Sequence, residues 1–203
     1  NITLEGPRTF VLSGGGKGRV LEVKAGAKVT VKGIALENGK AVTAPVKVAA
    51  LGALEDGGKH CGGVLLNAGE MTLEDVEVRG GVALDGGGIC NIDGAKLTLK
   101  NTVVRNNTAN GLDSFGEGGG IFSSVGSVLT LEGGIIKDNG ASYEGGGIFN
   151  NQGTLTMTGT VIEGNTTTVP NVSGGGGVFN LNGSFTLVSG SIRNNTVGYY
   201  GGG

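Results

Sequence analysis

Three carboxylates and the chain's single histidine fall at equivalent places in a repeating sequence. His60, Asp85, Glu117 and Glu144 each precede a glycine-rich joint, and the column continues as Gly174 and Tyr200. Acidic side chains stacked at strand spacing repel one another unless a cation or cationic ligand joins them. Two chemistries fit that pattern. Oxygens of Asp85, Glu117 and Glu144 could hold Ca²⁺, the one cofactor the residue types suggest. Alternatively, they could present an acid and a base to a glycan lying along the edge, as in a polysaccharide lyase or hydrolase. That enzyme needs Asp85, Glu117 and Glu144 to converge in a cleft beside a basic residue such as Lys59. Phe115, Tyr143 and Tyr199 lie nearby as sugar-stacking platforms or as lids on the joints, giving a ligand-binding set of Phe115, Glu117, Tyr143, Glu144 and Tyr199. The plainer alternative is a row of solvated turn residues splayed apart by loops of different length.

Other chemistries lack their parts. The glycine triplets have neither the GxxxxGK[ST] pattern nor a strand-GxGxxG-helix context, so they are turn glycines. One histidine and two cysteines are too few for a zinc site, and no nucleophile triad assembles around His60.

The elements that position these residues follow from a second set of columns. The triplets Val29-Thr30-Val31, Met71-Thr72-Leu73, Leu97-Thr98-Leu99, Leu129-Thr130-Leu131, Leu155-Thr156-Met157 and Phe185-Thr186-Leu187 all carry a central Thr, and Ile2-Thr3-Leu4 adds a seventh. Five residues on comes Leu36, Val78, Val104, Ile136, Ile162 or Ile192. Three further on, four copies place Asn107, Asn139, Asn165 and Asn195. Val64, Ile89, Ile121, Ile148 and Val178 follow the joints. Apolar-Thr-apolar alternation is the period of a half-buried strand, and self-similarity of this kind marks a solenoid. The expected fold is all-β: a right-handed, single-stranded parallel β-helix of about seven coils, each with two to three short strands.

In that arrangement the aliphatic columns fill the interior and Thr stands outward. Glycines before each triplet, such as Gly26, Gly69 and Gly153, take positive φ. The Asn column tolerates left-handed backbone and ladders its amides from coil to coil. Lys28, Glu70 and Lys96 alternate on one side of the Thr column, and Lys32, Glu74, Lys100 and Glu132 on the other, which favours this register.

With 203 residues and one pattern throughout, residues 1–203 form one domain, interrupted by an insert at 42–60 that could form a short helix from Val46 to Leu54. Loop length varies at one place, between the Asn turn and the next glycines, so the elaborated loops share one edge, commonly the binding face of a solenoid. A net charge of −2 gives no basic footprint for nucleic acid. No apolar run reaches membrane-spanning length. The chain begins at Asn1 and stops at Gly203, where another coil would start, so it reads as a piece of a longer solenoid whose open ends could associate end to end. Cys61 and Cys90 fall four residues apart laterally, which argues for two free thiols.

The string GGGIFNNQGTLTMTGTVIEGN, with GGGICN, GGGIFS and GGGVFN at the other joints, resembles the repeats of polymorphic outer-membrane proteins. These and related adhesin-like β-helices belong to the pectin-lyase-like fold group. The joints read GGG[IV] where that family has GGA[ILV], and only Phe179-Asn180-Leu181-Asn182 fits its companion FxxN motif. The resemblance implies a noncatalytic module, secreted or at the cell surface (outer membrane or cell wall), whose loop edge binds a glycan or a surface protein of a host or neighbouring cell. Two alternatives stay open: the polysaccharide lyase or hydrolase, and ice binding through the Thr ladder. The flanking Lys and Glu columns depart from the uncharged face usual in ice-binding solenoids.

Overall fold

A computed structural model of the chain describes residues 1–41, 59–111, 116–168 and 174–198. Among them every regular element is a strand, and all strand pairings are parallel. The strands stack into four sheets of seven, seven, six and five members. Seven members in the first sheet bound six full turns between them, so the solenoid has about six turns.

One turn shows the order. Lys96–Lys100 lies in the first sheet, Val103–Arg105 in the second, Thr108–Ala109 in a third of two-residue strands, and Ile121–Ser123 in a fourth. The chain then enters the first sheet again at Val128–Glu132. The sequence pattern points to two or three strands per turn, and the structure has four. The short one escapes periodicity because two residues cannot show an alternation.

The Thr rank stands as its spacing requires. Thr3, Thr30, Thr72, Thr98, Thr130, Thr156 and Thr186 pair one above another in the middle of the first sheet, facing outward. Their neighbours Leu97, Leu99, Leu129, Leu131, Leu155 and Met157 point inward and are buried. The second sheet contributes Leu36, Val78, Val104, Ile136 and Ile162 to the same core, and the fourth Leu65, Ile89, Ile121 and Ile148. Truncating one of these leucines to Ala removes about 2–5 kcal/mol. The interior narrows at the short sheet, where the inward residues are Ala41, Ala83, Ala109 and Ala141, with Thr167 below them.

The Asn column is a buried amide ladder. Asn107, Asn139 and Asn165 each donate Nδ2 to Oδ1 of the asparagine in the next rung at 2.9–3.0 Å. The same Nδ2 groups also donate to the preceding rung's carbonyls of Val78, Val104 and Ile136. Left-handed backbone belongs to the residue before each asparagine: Asn106, Asp138, Gly164 and Asn194 have φ of 53–64°. The ladder residue itself must keep extended geometry so that its amide points inward.

The turn glycines divide in a comparable way. Gly26 and Gly94 have positive φ as expected. Gly69 and Gly153 do not; a side chain at either would lie within 2.5–2.7 Å of a neighbouring oxygen. The shorter turn leaves no room there, and in Gly153's turn Gln152 takes the positive φ (53°).

Two column assignments shift by one residue. Leu65, not Val64, pairs with Ile89, and Cys61, not His60, bridges to Asp85. The insert lets the count slip unseen. Its proposed helix at 46–54 lies outside the described residues.

The cysteines are not free thiols: Cys61 and Cys90 form a disulfide with Cα atoms 5.6 Å apart. Sequence offset is a poor guide to distance at this joint. Gly62 turns the chain back at φ +70°, and a Cβ there would lie 3.0 Å from that of Cys90. Residue 61 therefore reaches across to the next rung's residue 90. The bond closes a loop of sequence separation 29 that begins where the insert ends. Replacing both cysteines with Ala should lower unfolding free energy by about 3 kcal/mol, measured as a shift in the urea midpoint of the oxidised protein.

A second amide ladder runs through Asn67, Asn91, Ser123, Asn150 and Asn180. Asn67 donates to Asn91 at 2.8 Å, Asn91 to Ser123 Oγ at 3.4 Å and Asn150 to Asn180 at 2.6 Å, but Ser123 is too short to reach Asn150. Asn150 Oδ1 and the nearby Ser127 Oγ are left buried without a partner among the described residues. Ser123→Asn with Ser127→Ala copies the Asn91/Ala95 turn, which has the same length. That pair should stabilise the protein by about 1–2 kcal/mol in denaturant titration, whereas an unchanged or lower midpoint would show the break to be harmless.

Candidate functional site

Each acidic residue sits at one point of the turn: after the connection from the short sheet and before a glycine that reverses the chain. Gly86, Gly118 and Gly145 have φ of 56–64°, and a Cβ at each would lie within 2.4 Å of the carbonyl oxygen three residues on. These glycines lock the joint and therefore the acid before it. Backbone hydrogen bonds from Gly86 N–H to Glu117 O and from Gly118 N–H to Glu144 O, both 2.9 Å, stack Asp85, Glu117 and Glu144 in successive rungs. Cys61 stands above Asp85. His60 is one residue out of the column, its carbonyl accepting from Leu84 N–H. Among the described residues the column is thus Cys61, Asp85, Glu117, Glu144 and Gly174.

Behind it runs an apolar column whose covering is not apparent from the repeat pattern. Leu66, Cys90, Phe122, Phe149 and Phe179 are consecutive in the fourth sheet, outward-facing and yet largely buried. The phenylalanine rings stack with centroids 5.5 Å apart. The disulfide fixes how the two columns mesh: residue 61 abuts residue 90 of the next rung. The same register sets positions 85, 117 and 144 beside Phe122, Phe149 and Phe179. The sequence carries a signal for this, since aromatic and acidic columns repeat together, but the chain reversal that joins them is invisible in the spacing.

This environment controls the carboxyl groups. Asp85 is buried, and its Oδ1 accepts from the Gly116 and Glu117 N–H groups at 2.8 and 3.0 Å. Among the described residues no hydrogen-bond donor or cation meets the carboxyl of Glu117 or Glu144. Burial, then the charges of Asp85 and Glu144, push Glu117 up to about 8. Burial pushes Glu144 up to about 7. Near neutral pH the column therefore joins an acceptor carboxylate to proton-bearing neighbours, a set able to hydrogen-bond hydroxyl-rich ligands or to divide acid and base roles. Among the described residues no group of three His, Cys, Asp or Glu side chains converges as a metal site.

Two further contacts tie the connections across rungs: Tyr143 N–H donates to Gly116 O at 3.0 Å, and Ser142 Oγ to Gly111 O at 2.6 Å. Tyr143 is half-buried. Phe115, Tyr199 and Tyr200 lie outside the described residues. Comparison with protein-family models, curated proteins and solved structures finds no match to the chain.

A carboxyl with a raised folded-state pKa favours the folded protein most where it is protonated in both states, and loses that advantage as pH rises toward the folded value. For Glu117 the window runs from about 4.5 to about 8. The urea midpoint should fall between about pH 4.5 and about pH 8, and Glu117→Gln should flatten that fall. Parallel curves for wild type and variant would show that Glu117 titrates normally.

Proposed function

We propose that the chain is a noncatalytic β-helix module, secreted or displayed at a cell surface, that binds a glycan or a surface protein through its loop edge. One observation carries the reading: the connections that vary widely in length leave the solenoid at the same corner. Segments 42–64, 84–88, 110–120, 142–147 and 168–177 all run from the short sheet to the fourth sheet. From Leu21 onward the other corners are turns of one to four residues. Diversity confined to one edge of a rigid scaffold suits recognition. The disulfide accords with folding in an oxidising compartment. The joints' likeness to polymorphic outer-membrane protein repeats, within the pectin-lyase-like fold group, supports an adhesin-like role.

The second reading is a polysaccharide lyase or hydrolase, favoured by the raised Glu117 beside Asp85. A glycan array run with turnover assays on acidic polysaccharides separates the two. The adhesin reading expects array signals weakened by substitutions at Tyr143 and Glu144, without turnover. Product release that disappears in Glu117→Gln would replace it with the enzyme.

A further inference from the structure

A different face carries a second site. We propose that the Thr rank of the first sheet binds a linear neutral polysaccharide laid along the solenoid axis. The rank is unbroken over seven rungs, about 29 Å at the spacing of paired strands. Five of its residues are half-buried, and Thr3 and Thr186 are exposed. Neighbouring hydroxyls stand one rung apart, farther than a hydrogen bond reaches, and no hydrogen bond among the described residues engages them. Their donors and acceptors all face outward. β-Branching alone does not require Thr, because Val suits a pleated surface equally.

What flanks the rank narrows the occupant. From Lys28 to Glu132 long charged side chains flank the rank on both sides except at Val128, forming two walls parallel to the axis. Their charges pair along the axis: Lys28 with Glu70, Lys32 with Glu74 at 3.1 Å and Lys100 with Glu132 at 3.6 Å. Counting Glu5 and Lys96, four lysines face four glutamates, so the two walls carry no net charge to draw a charged polymer. A periodic floor of hydroxyls between neutralised polar walls matches a neutral chain that repeats hydroxyls along its length. Toward Thr154, Thr158 and Ser184 the walls become hydroxyls, and the exposed Val188 ends one of them. The site does not rest on the loop-edge reading.

The test is retention of the protein on insoluble cellulose, chitin and β-1,3-glucan at low and high salt. We expect retention on at least one, unaffected by salt and weakened roughly tenfold or more in Thr72→Val/Thr98→Val/Thr130→Val. The matching Ser triple, which keeps the hydroxyls, should retain binding, and Glu117→Gln on the loop edge should leave it unchanged. The proposal falls if no polysaccharide retains the protein, if the folded Val triple binds as wild type does, or if the only activity of this face is thermal hysteresis, which would assign it to ordered water. Denaturation midpoints of both triples show whether any loss reflects misfolding.

Discussion

Rung-to-rung hydrogen bonding between parallel strands in register is the constraint on which this molecule depends. Once Leu97-Thr98-Leu99 pairs residue for residue with Leu129-Thr130-Leu131, every side chain must coexist with a counterpart about 4.8 Å away, above and below. The sequence can then place in each column only side chains that tolerate such company. Aliphatic residues stack inside by dispersion and exclusion of water. Phenylalanines stack as rings, asparagines ladder their amides, and lysines alternate with glutamates.

The acidic column departs from that logic. Asp85, Glu117 and Glu144 stack like on like with no alternating cation. Asp85 is accommodated by two backbone N–H groups, which the loop at Gly116 and Glu117 supplies. Glu117 and Glu144 are accommodated by holding their protons, because burial beside the aromatic column makes the charged forms unfavourable. Departures from local consistency concentrate where a protein meets something else. Here the departure lies at the corner where the connections vary.

The disulfide has a related role. At the top of the two meshed columns an acid-aromatic pair is replaced by Cys61 and Cys90, which join covalently where the other rungs only pack. The insert leaves just above this point, after Ala41, and its return is pinned at Cys61. A long excursion raises the entropy of the unfolded chain only slowly with its length, and a crosslink at its foot ties the returning chain to the next rung.

The sequence alone determined the solenoid, the outward Thr rank, the aliphatic core, the single variable edge and the stacking of Asp85 with Glu117 and Glu144. Each shows as a column because period and alternation are properties of the chain's order. Tertiary structure decided the rest: the disulfide, the place of His60, the two-residue sheet and the covered phenylalanine stack. It also decided which turn residue takes positive φ and which glycine is there for close approach. These depend on where the chain reverses at Gly62, Gly86, Gly118 and Gly145, and a reversal brings together residues whose separation in sequence says nothing about their distance in space.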